Sequence, residues 1–363
     1  MRITWVALLC LSLIGCGSEG SKTDAVAETQ PAQTFNWKLV TTWPKNFPGL
    51  GLAPEYFAEN VERMSNGRLK IKVFGAGQLV PAFEVFDAVS QGTAEMGHGA
   101  AYYWQGKIPA SALFTAVPFG LNAQEMNAWL HYGGGLELWR ELYAPFNLVP
   151  YAGGNTGVQM AGWFNREINS MADIQGLKMR IPGLGGEVFT RAGGMSVQRS
   201  GGEIYTSMQT GEIDAAEWVG PYNDLAFGFH QIAKYYYFPG WQEPGPTLEL
   251  IINKQALESL PEDLQAIVES AARAANQNML DEYTARNNAA LIELVETHGV
   301  QVKKLPDDVL AEFQRISTIV VDEMAAEDPL AQRITDSMRA FAKQSKAYHG
   351  ISEEAYYKAR GKE

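Results

Sequence analysis

Apolar and polar positions alternate through Phe35, Trp37 and Leu39, and again through Leu69, Ile71 and Val73, which predicts two strands. Between them Pro54 suits a first helical turn, Phe57, Val61 and Met64 recur at helical spacing, and Asn66-Gly67 stops the helix. Phe83 to Val89 then reads as a helix, and Ala94 to Met96 opens a short third strand. A run of this βαβαβ kind predicts a mostly parallel sheet with both faces covered.

A second α/β set follows. Val158 to Phe164, Leu177 to Ile181 and Ala215 to Val219 read as strands, with helices over Gly186 to Ala192 and Ile204 to Thr210. Leu248 to Ile252 is a further strand, placed to return the chain to the first domain. From Pro261 to His298 the pattern is one long amphipathic helix, started by Ser259-Leu260-Pro261-Glu262 and stopped by Gly299. Two more helices are predicted near Asp307 to Ala326 and Pro329 to Tyr348. The fold expected is therefore α/β with two domains and a cleft between them. One domain takes residues 35–152 with about 248–285, the other 153–247 with about 286–363. Such clefts, beyond the carboxyl ends of the strands, are where ligands bind.

The first residues change the picture of where the protein works. Met1-Arg2 and an apolar stretch from Ile3 to Ile14 have the layout of a secretory signal, too short to span a bilayer. Leu13-Ile14-Gly15-Cys16 resembles a lipoprotein cleavage box, which makes Cys16 the expected lipidation site, with residues 1–16 as the signal segment. Residues 17–34, rich in Ser, Ala, Glu, Gln and Thr, read as a flexible tether. The expected location is the periplasm, with a lipid anchor on a bacterial membrane. Both cysteines of the chain, Cys10 and Cys16, lie in this leader, so the body has no disulfide and no thiol chemistry. The formal charge is −12, and it argues against a nucleic-acid partner and against steering of anions by the protein as a whole. An anionic ligand then needs a local positive group.

The chemistry of catalysis is missing from the sequence. There is no Gly-x-Ser-x-Gly elbow, no phosphate loop and no Gly-x-Gly-x-x-Gly. The five histidines are scattered, with no pair at metal-ligand spacing on one helix. Two positive signals lie in the second half. Arg180 sits inside an apolar strand, Gly176-Leu177-Lys178-Met179-Arg180-Ile181-Pro182, where a guanidinium needs an anion, either a ligand carboxylate or an internal Asp or Glu. Gly211-Glu212-Ile213-Asp214-Ala215-Ala216-Glu217-Trp218 ends an apolar strand on a carboxylate that needs a cation or metal. Tyr102-Tyr103-Trp104 and Trp241 are aromatic clusters suited to core packing or to walling a cleft, and Gly183, Gly185 and Gly186 suit a turn or an anion-facing helix start.

These segments, together with Phe74-Gly75-Ala76-Gly77-Gln78, occur in an order that resembles the solute-binding proteins of tripartite ATP-independent periplasmic (TRAP) transporters. The resemblance runs from about Phe35 to the C-terminal helices and includes the long helix that links both domains. It is closer still to the branch that binds 2-oxo acids or lactate with a metal ion. Gly154-Asn155-Thr156-Gly157-Val158-Gln159-Met160, Ile181-Pro182-Gly183-Leu184-Gly185-Gly186-Glu187 and Trp241-Gln242-Glu243-Pro244-Gly245 carry that likeness.

The resemblance implies a periplasmic-binding-protein fold and Arg180 as the carboxylate anchor. It implies Gln159, Glu217 and the Trp218 carbonyl as metal ligands, with Glu243 as a further candidate and Asn155 and Tyr103 as ligand contacts. The implied cargo is a small monocarboxylate anion such as pyruvate or lactate, bound with sodium or calcium and passed to the TRAP permease subunits. Sodium balances Glu217 alone, whereas calcium balances Glu217 with Glu243. The chain is expected to capture and not to catalyse. The alternatives are a binder of a dicarboxylate or sugar acid, for which Lys178 or Arg199 would be a second anchor, and a secreted hydrolase or lyase. The Pro329 to Tyr348 helix, which extends past the usual family end, is a candidate for pairing two subunits.

Overall fold

A computed structural model describes residues 33–361. The signal segment with Cys16, and the tether up to residue 32, lie outside the described residues.

The described strands form two sheets. Those of the first half are β1 (Phe35–Thr41), β2 (Leu69–Phe74), β3 (Met96–Gly99) and β4 (Leu148–Asn155). They are followed by β5 (Gly162–Phe164), β6 (Lys178–Arg180), β7 (Met195–Val197), β8 (Ala215–Ala216), β9 (Tyr235–Phe238), β10 (Thr247–Asn253) and β11 (Gln301–Lys304). The first sheet has the order β2-β1-β3-β10-β4 and the second β11-β9-β5-β8-β6-β7. The expected βαβαβ unit is present, since β1 pairs in parallel with both β2 and β3. The rest of that sheet is antiparallel, because β10 arrives from the second sheet running the opposite way between β3 and β4.

The chain crosses between sheets after β4 and before β10, and the helix Glu262–Glu296 forms a third link. All seven residues of β10 are buried, as its near-continuous apolar run requires. Its register shifts between Leu248 and Glu249, a bulge in the strand that joins the lobes.

The long helix starts after Pro261, with Glu262 and Asp263 on its positive end, and stops before Gly299 at φ +67°. Its first half buries Leu264, Val268 and the alanines Ala271, Ala272 and Ala275 in a core with Trp37, Leu39 and Phe57 of the first lobe. Its second half contributes Met279, Tyr283 and Leu294 to the larger core that includes Trp163, Tyr236 and Phe229 of the second. Small residues bring it close to β4: a Cβ on Gly154 would meet the Met279 sulfur at 2.6 Å. One helix therefore belongs to the cores of both lobes.

The helices Asp307–Glu327 and Pro329–His349 form a hairpin turned by Asp328, whose carboxylate accepts from the Leu330 and Ala331 amides. The second of them lies on first-lobe helices, with Trp129 Nε1 donating to Ser337 and Arg333 paired to Glu141 at 2.7 Å. A short helix, Glu353–Arg360, follows. Among the described residues no helix is long and apolar enough to cross a membrane.

Candidate functional site

Arg180 ends β6 in the second sheet and is 1% exposed. Its neighbours explain how a guanidinium survives there. Nη1 donates to the Glu217 carboxylate at 2.5 Å and to the Glu217 carbonyl at 3.0 Å. Nε donates to the Arg199 carbonyl and Nη2 to the Tyr103 hydroxyl at 3.3 Å. The guanidinium lies over the Trp218 ring at 5.1 Å, a cation–π contact. Burial opposes its charge, yet the facing Glu217 holds its pKa above the ordinary value. Of the two partners the sequence left open, the structure shows the internal carboxylate, Glu217, while Nη2 of Arg180 reaches Tyr103 of the first lobe.

Glu217 follows β8 and is fully buried. Its Oε1 takes Arg180, while Oε2 is buried without a hydrogen-bond partner. Glu243 is also buried, and Gln159 Nε2 donates to it at 2.8 Å and to Thr156 at 3.2 Å. That leaves Gln159 Oε1 without a partner. Burial pushes both carboxyls up, and for Glu243 the charge of Glu217 adds to the rise. Of the two buried carboxylates only Glu217 is paired with the guanidinium, while Glu243 is held by Gln159. Orphaned carboxylate and amide oxygens are hard donors, an all-oxygen set that suits sodium or calcium better than zinc, which favours His nitrogen and Cys sulfur. Among the described residues no group of three or more His, Cys, Asp or Glu is placed to hold a metal. Any cation here therefore relies on amide and carbonyl oxygens beside the carboxylates.

The first lobe supplies an aromatic wall. Trp43, just past β1, packs against Tyr103 at 6.0 Å and edge-on against Trp218 at 6.0 Å. Its Nε1 donates to His98 Nδ1 at 2.8 Å, so the other ring nitrogen, 3.2 Å from the Gly153 carbonyl, carries the proton. Burial pushes the His98 pKa down to about 4, and the imidazole is a neutral acceptor that aims Trp43. His98 and Trp43 were not singled out by sequence reasoning, because a lone His and a loop Trp carry no signal by themselves. Gln242 was also missed; it is buried with Oε1 unpartnered, although it adjoins Glu243 in sequence.

The structure brings Tyr103, Arg180, Glu217 and Trp218 into contact, with Gln159 and Glu243 as a second contacting pair. Asn155 is tied into the protein itself. Its amide is consumed by the Gly245 carbonyl, the Thr247 hydroxyl and the Gly157 amide, which shape the loop that carries Gln159. The two cations weighed as a second anchor do not join the site: Arg199 pairs with Glu212, and Lys178 is exposed.

Residues 39–328 match the family described as bacterial extracellular solute-binding protein, family 7. The chain belongs to this family. Among relatives of this family 7 protein is a monocarboxylate 2-oxoacid-binding periplasmic protein of Nostoc sp. strain PCC 7120. The two are 43% identical over 351 residues, 97% of this chain and 95% of the relative. A TRAP periplasmic solute-binding protein from Pseudoalteromonas atlantica T6c, solved with bound sodium and pyruvate, superposes with a TM-score of 0.88 at 40% identity. That match covers 90% of this chain and 99% of the other. A TRAP protein from Colwellia psychrerythraea, solved with calcium and pyruvate, gives 0.88 at 41% identity, covering 90% and 100%. The family 7 membership, the two-lobed α/β fold and the long linking helix agree with what the sequence resemblance implied.

Proposed function

We propose that the protein captures a short monocarboxylate of the 2-oxo acid class together with a metal ion and presents it to the membrane subunits of a TRAP transporter. The observation that carries this reading is the fully buried Arg180, with its Nη2 towards Tyr103, beside the unpartnered Oε2 of Glu217. With Nε and Nη1 committed to Arg199 and Glu217, Nη2 is the donor Arg180 turns to a ligand carboxylate, and a hard cation satisfies the orphaned oxygens of Glu217 and Gln159. The relative that binds 2-oxo acids and the two structures with pyruvate support the same ligand class.

In this reading Arg180 and Tyr103 receive the acid's carboxylate. Glu217, Gln159 and the Trp218 carbonyl hold the cation, with Glu243 beside them and Asn155 shaping the Gln159 loop. Counting charges, Arg180 and the bound acid cancel, and the two carboxylates leave a charge that calcium balances. Sodium suffices when Glu243 keeps a proton. The protein works by closing its lobes, which removes water and strengthens each pair, and performs no reaction.

The remaining parts of the reading are the setting. Cys16 carries a lipid anchor that holds the protein at a bacterial membrane in the periplasm. Residues 35–152 with about 248–285 form one lobe and 153–247 with about 286–328 the other, while the C-terminal helices from Pro329, assigned to the second lobe from the sequence, lie on first-lobe helices. Those helices pair two copies of the chain, a role supported by the exposed Tyr348, Ile351, Tyr356 and Tyr357.

Calorimetric titration with pyruvate and with succinate tests the ligand class. Heat from pyruvate and none from succinate is expected, because one guanidinium anchors one carboxylate. Tighter binding of succinate overturns the reading.

A further inference from the structure

Beyond the groups that would touch ligand, three parts of the molecule meet at one buried amide. Asn223 is fully buried at the start of the helix Pro221–Phe227, five residues after Trp218. Its Nδ2 donates to the Pro48 carbonyl at 2.9 Å, and its Oδ1 accepts from the Tyr283 hydroxyl at 2.7 Å. Pro48 lies in the first-lobe loop that carries Trp43 and Phe47, whereas Tyr283 belongs to the long linking helix. The junction is tight, since Gly49 at φ +60° has no room for a Cβ, which would sit 2.5 Å from the Tyr283 ring.

The segment around Asn223 is fixed from the other side as well. Asp224 takes the Val219 amide, the Trp163 indole and the Tyr236 hydroxyl, all in the second lobe. The Phe47 ring reaches across to Phe227 at 4.4 Å, alongside the Pro48–Asn223 bond. Asp224 thus ties this turn to its own lobe, and Asn223 ties it to the opposite lobe and to the link.

We propose that Asn223 is a positioning residue for closure, a latch that holds the Pro48 loop against the turn following Glu217-Trp218. The proposal rests on the reading above that the lobes close over an acid and a cation. Hinge opening separates Pro48 from Asn223 and returns both groups to water. In the closed form Asn223 Nδ2 has the Pro48 carbonyl as its acceptor, and the buried Tyr283 hydroxyl has Asn223 Oδ1 as its own. Losing Asn223 leaves that hydroxyl unsatisfied, while the Pro48 carbonyl keeps the Leu50 amide. The bond is made only once the lobes close, which a fraction of ligand-free molecules also do, so its loss falls on the release rate and leaves the association rate nearly unchanged.

The test measures release and association of pyruvate in the presence of calcium, by stopped-flow tryptophan fluorescence. It compares the wild type with Asn223→Ala and with Tyr283→Phe, the second removing one hydroxyl and no volume of the ring. Faster release by about tenfold in Asn223→Ala, and by a smaller factor in Tyr283→Phe, with association within about twofold, is the expected result. Release within about twofold of wild type in both variants overturns the latch. Small-angle scattering of the ligand-free proteins separates this claim from the ligand assignment. If the wild type binds no pyruvate, the ligand reading fails, and a larger radius of gyration in Asn223→Ala still supports the latch. An equal radius then overturns it.

Discussion

Arg180 holds Glu217 at 2.5 Å, so the guanidinium offered to an incoming carboxylate already carries one of the protein's own. Both side chains are buried, and Glu217 keeps a second oxygen without a partner. A cation that takes Glu217 weakens its hold on Arg180 and frees the donors for the acid. Each ligand then favours the other by the same factor.

Replacing the anchor separates binding from stability. Arg180→Ala is expected to weaken pyruvate binding about 100-fold or more, because no other cation joins the site. It also leaves Glu217 as an uncompensated buried carboxylate, a loss of about 3–5 kcal/mol when a buried pair is broken. Arg180→Ala/Glu217→Gln is expected to recover melting temperature without recovering binding. Thermal denaturation and titration of both variants check this. A double variant that binds pyruvate contradicts the anchor assignment.

Glu217→Gln has effects of opposite sign on the two ligands. Calcium affinity falls, since a carboxylate ligand is gone, and the Arg180 fork no longer has a competing anion. Pyruvate binding in chelator is expected to rise above that of the wild type in chelator. Titrations with and without chelator read both effects, and a variant that keeps wild-type cation dependence contradicts the role given to Glu217.

Gly240 stands where a methyl group would collide with the Gln159 backbone, at 2.1 Å from its carbonyl oxygen. Gly240→Ala is expected to displace Gln159 and weaken calcium and pyruvate binding together, by about tenfold or more. Equal binding in the variant would show that Gln159 needs no fixed position.

The two halves of the site differed in how far the sequence revealed them. An Arg within an apolar strand and a carboxylate ending another are visible as local exceptions, and Arg180 and Glu217 are those exceptions. Their mutual pairing is not visible, since it depends on β6 and β8 lying side by side. The long helix was legible from Pro261 to Gly299 because its ends carry start and stop residues. By contrast β4, with Pro150, Gly153 and Gly154, and β9, with the run Tyr235-Tyr236-Tyr237-Phe238, show no alternation and were missed. The expected strand from Val158 shrank to Gly162–Phe164, as residues 158–161 are used to deliver Gln159. His98 looked like one scattered histidine among five, and only the fold brings it to Trp43.

A further consequence concerns pH and lies away from the ligand. Glu249, buried at the bulge of β10, accepts from Trp104 and Tyr143 and meets no cation there. Burial pushes its pKa up to about 7. The folded state therefore holds a proton that the unfolded state releases near pH 4.5, and stability from this group falls as pH rises from there to about 7. The fall amounts to about 3 kcal/mol at 1.36 kcal/mol for each pKa unit. Glu249→Gln is expected to flatten that part of the profile. Urea unfolding across this pH range checks it, and parallel profiles for variant and wild type contradict it.

The most direct test of the account is a thermal shift of the protein with pyruvate in calcium, in sodium, and in chelator without sodium. The account predicts a raised melting temperature with pyruvate when a cation is present, largest with calcium. The gain corresponds to about 2.7 kcal/mol at a hundredfold excess over the dissociation constant. No shift with either cation, or an equal shift in chelator without sodium, would contradict joint capture of an acid and a metal by Arg180 and Glu217.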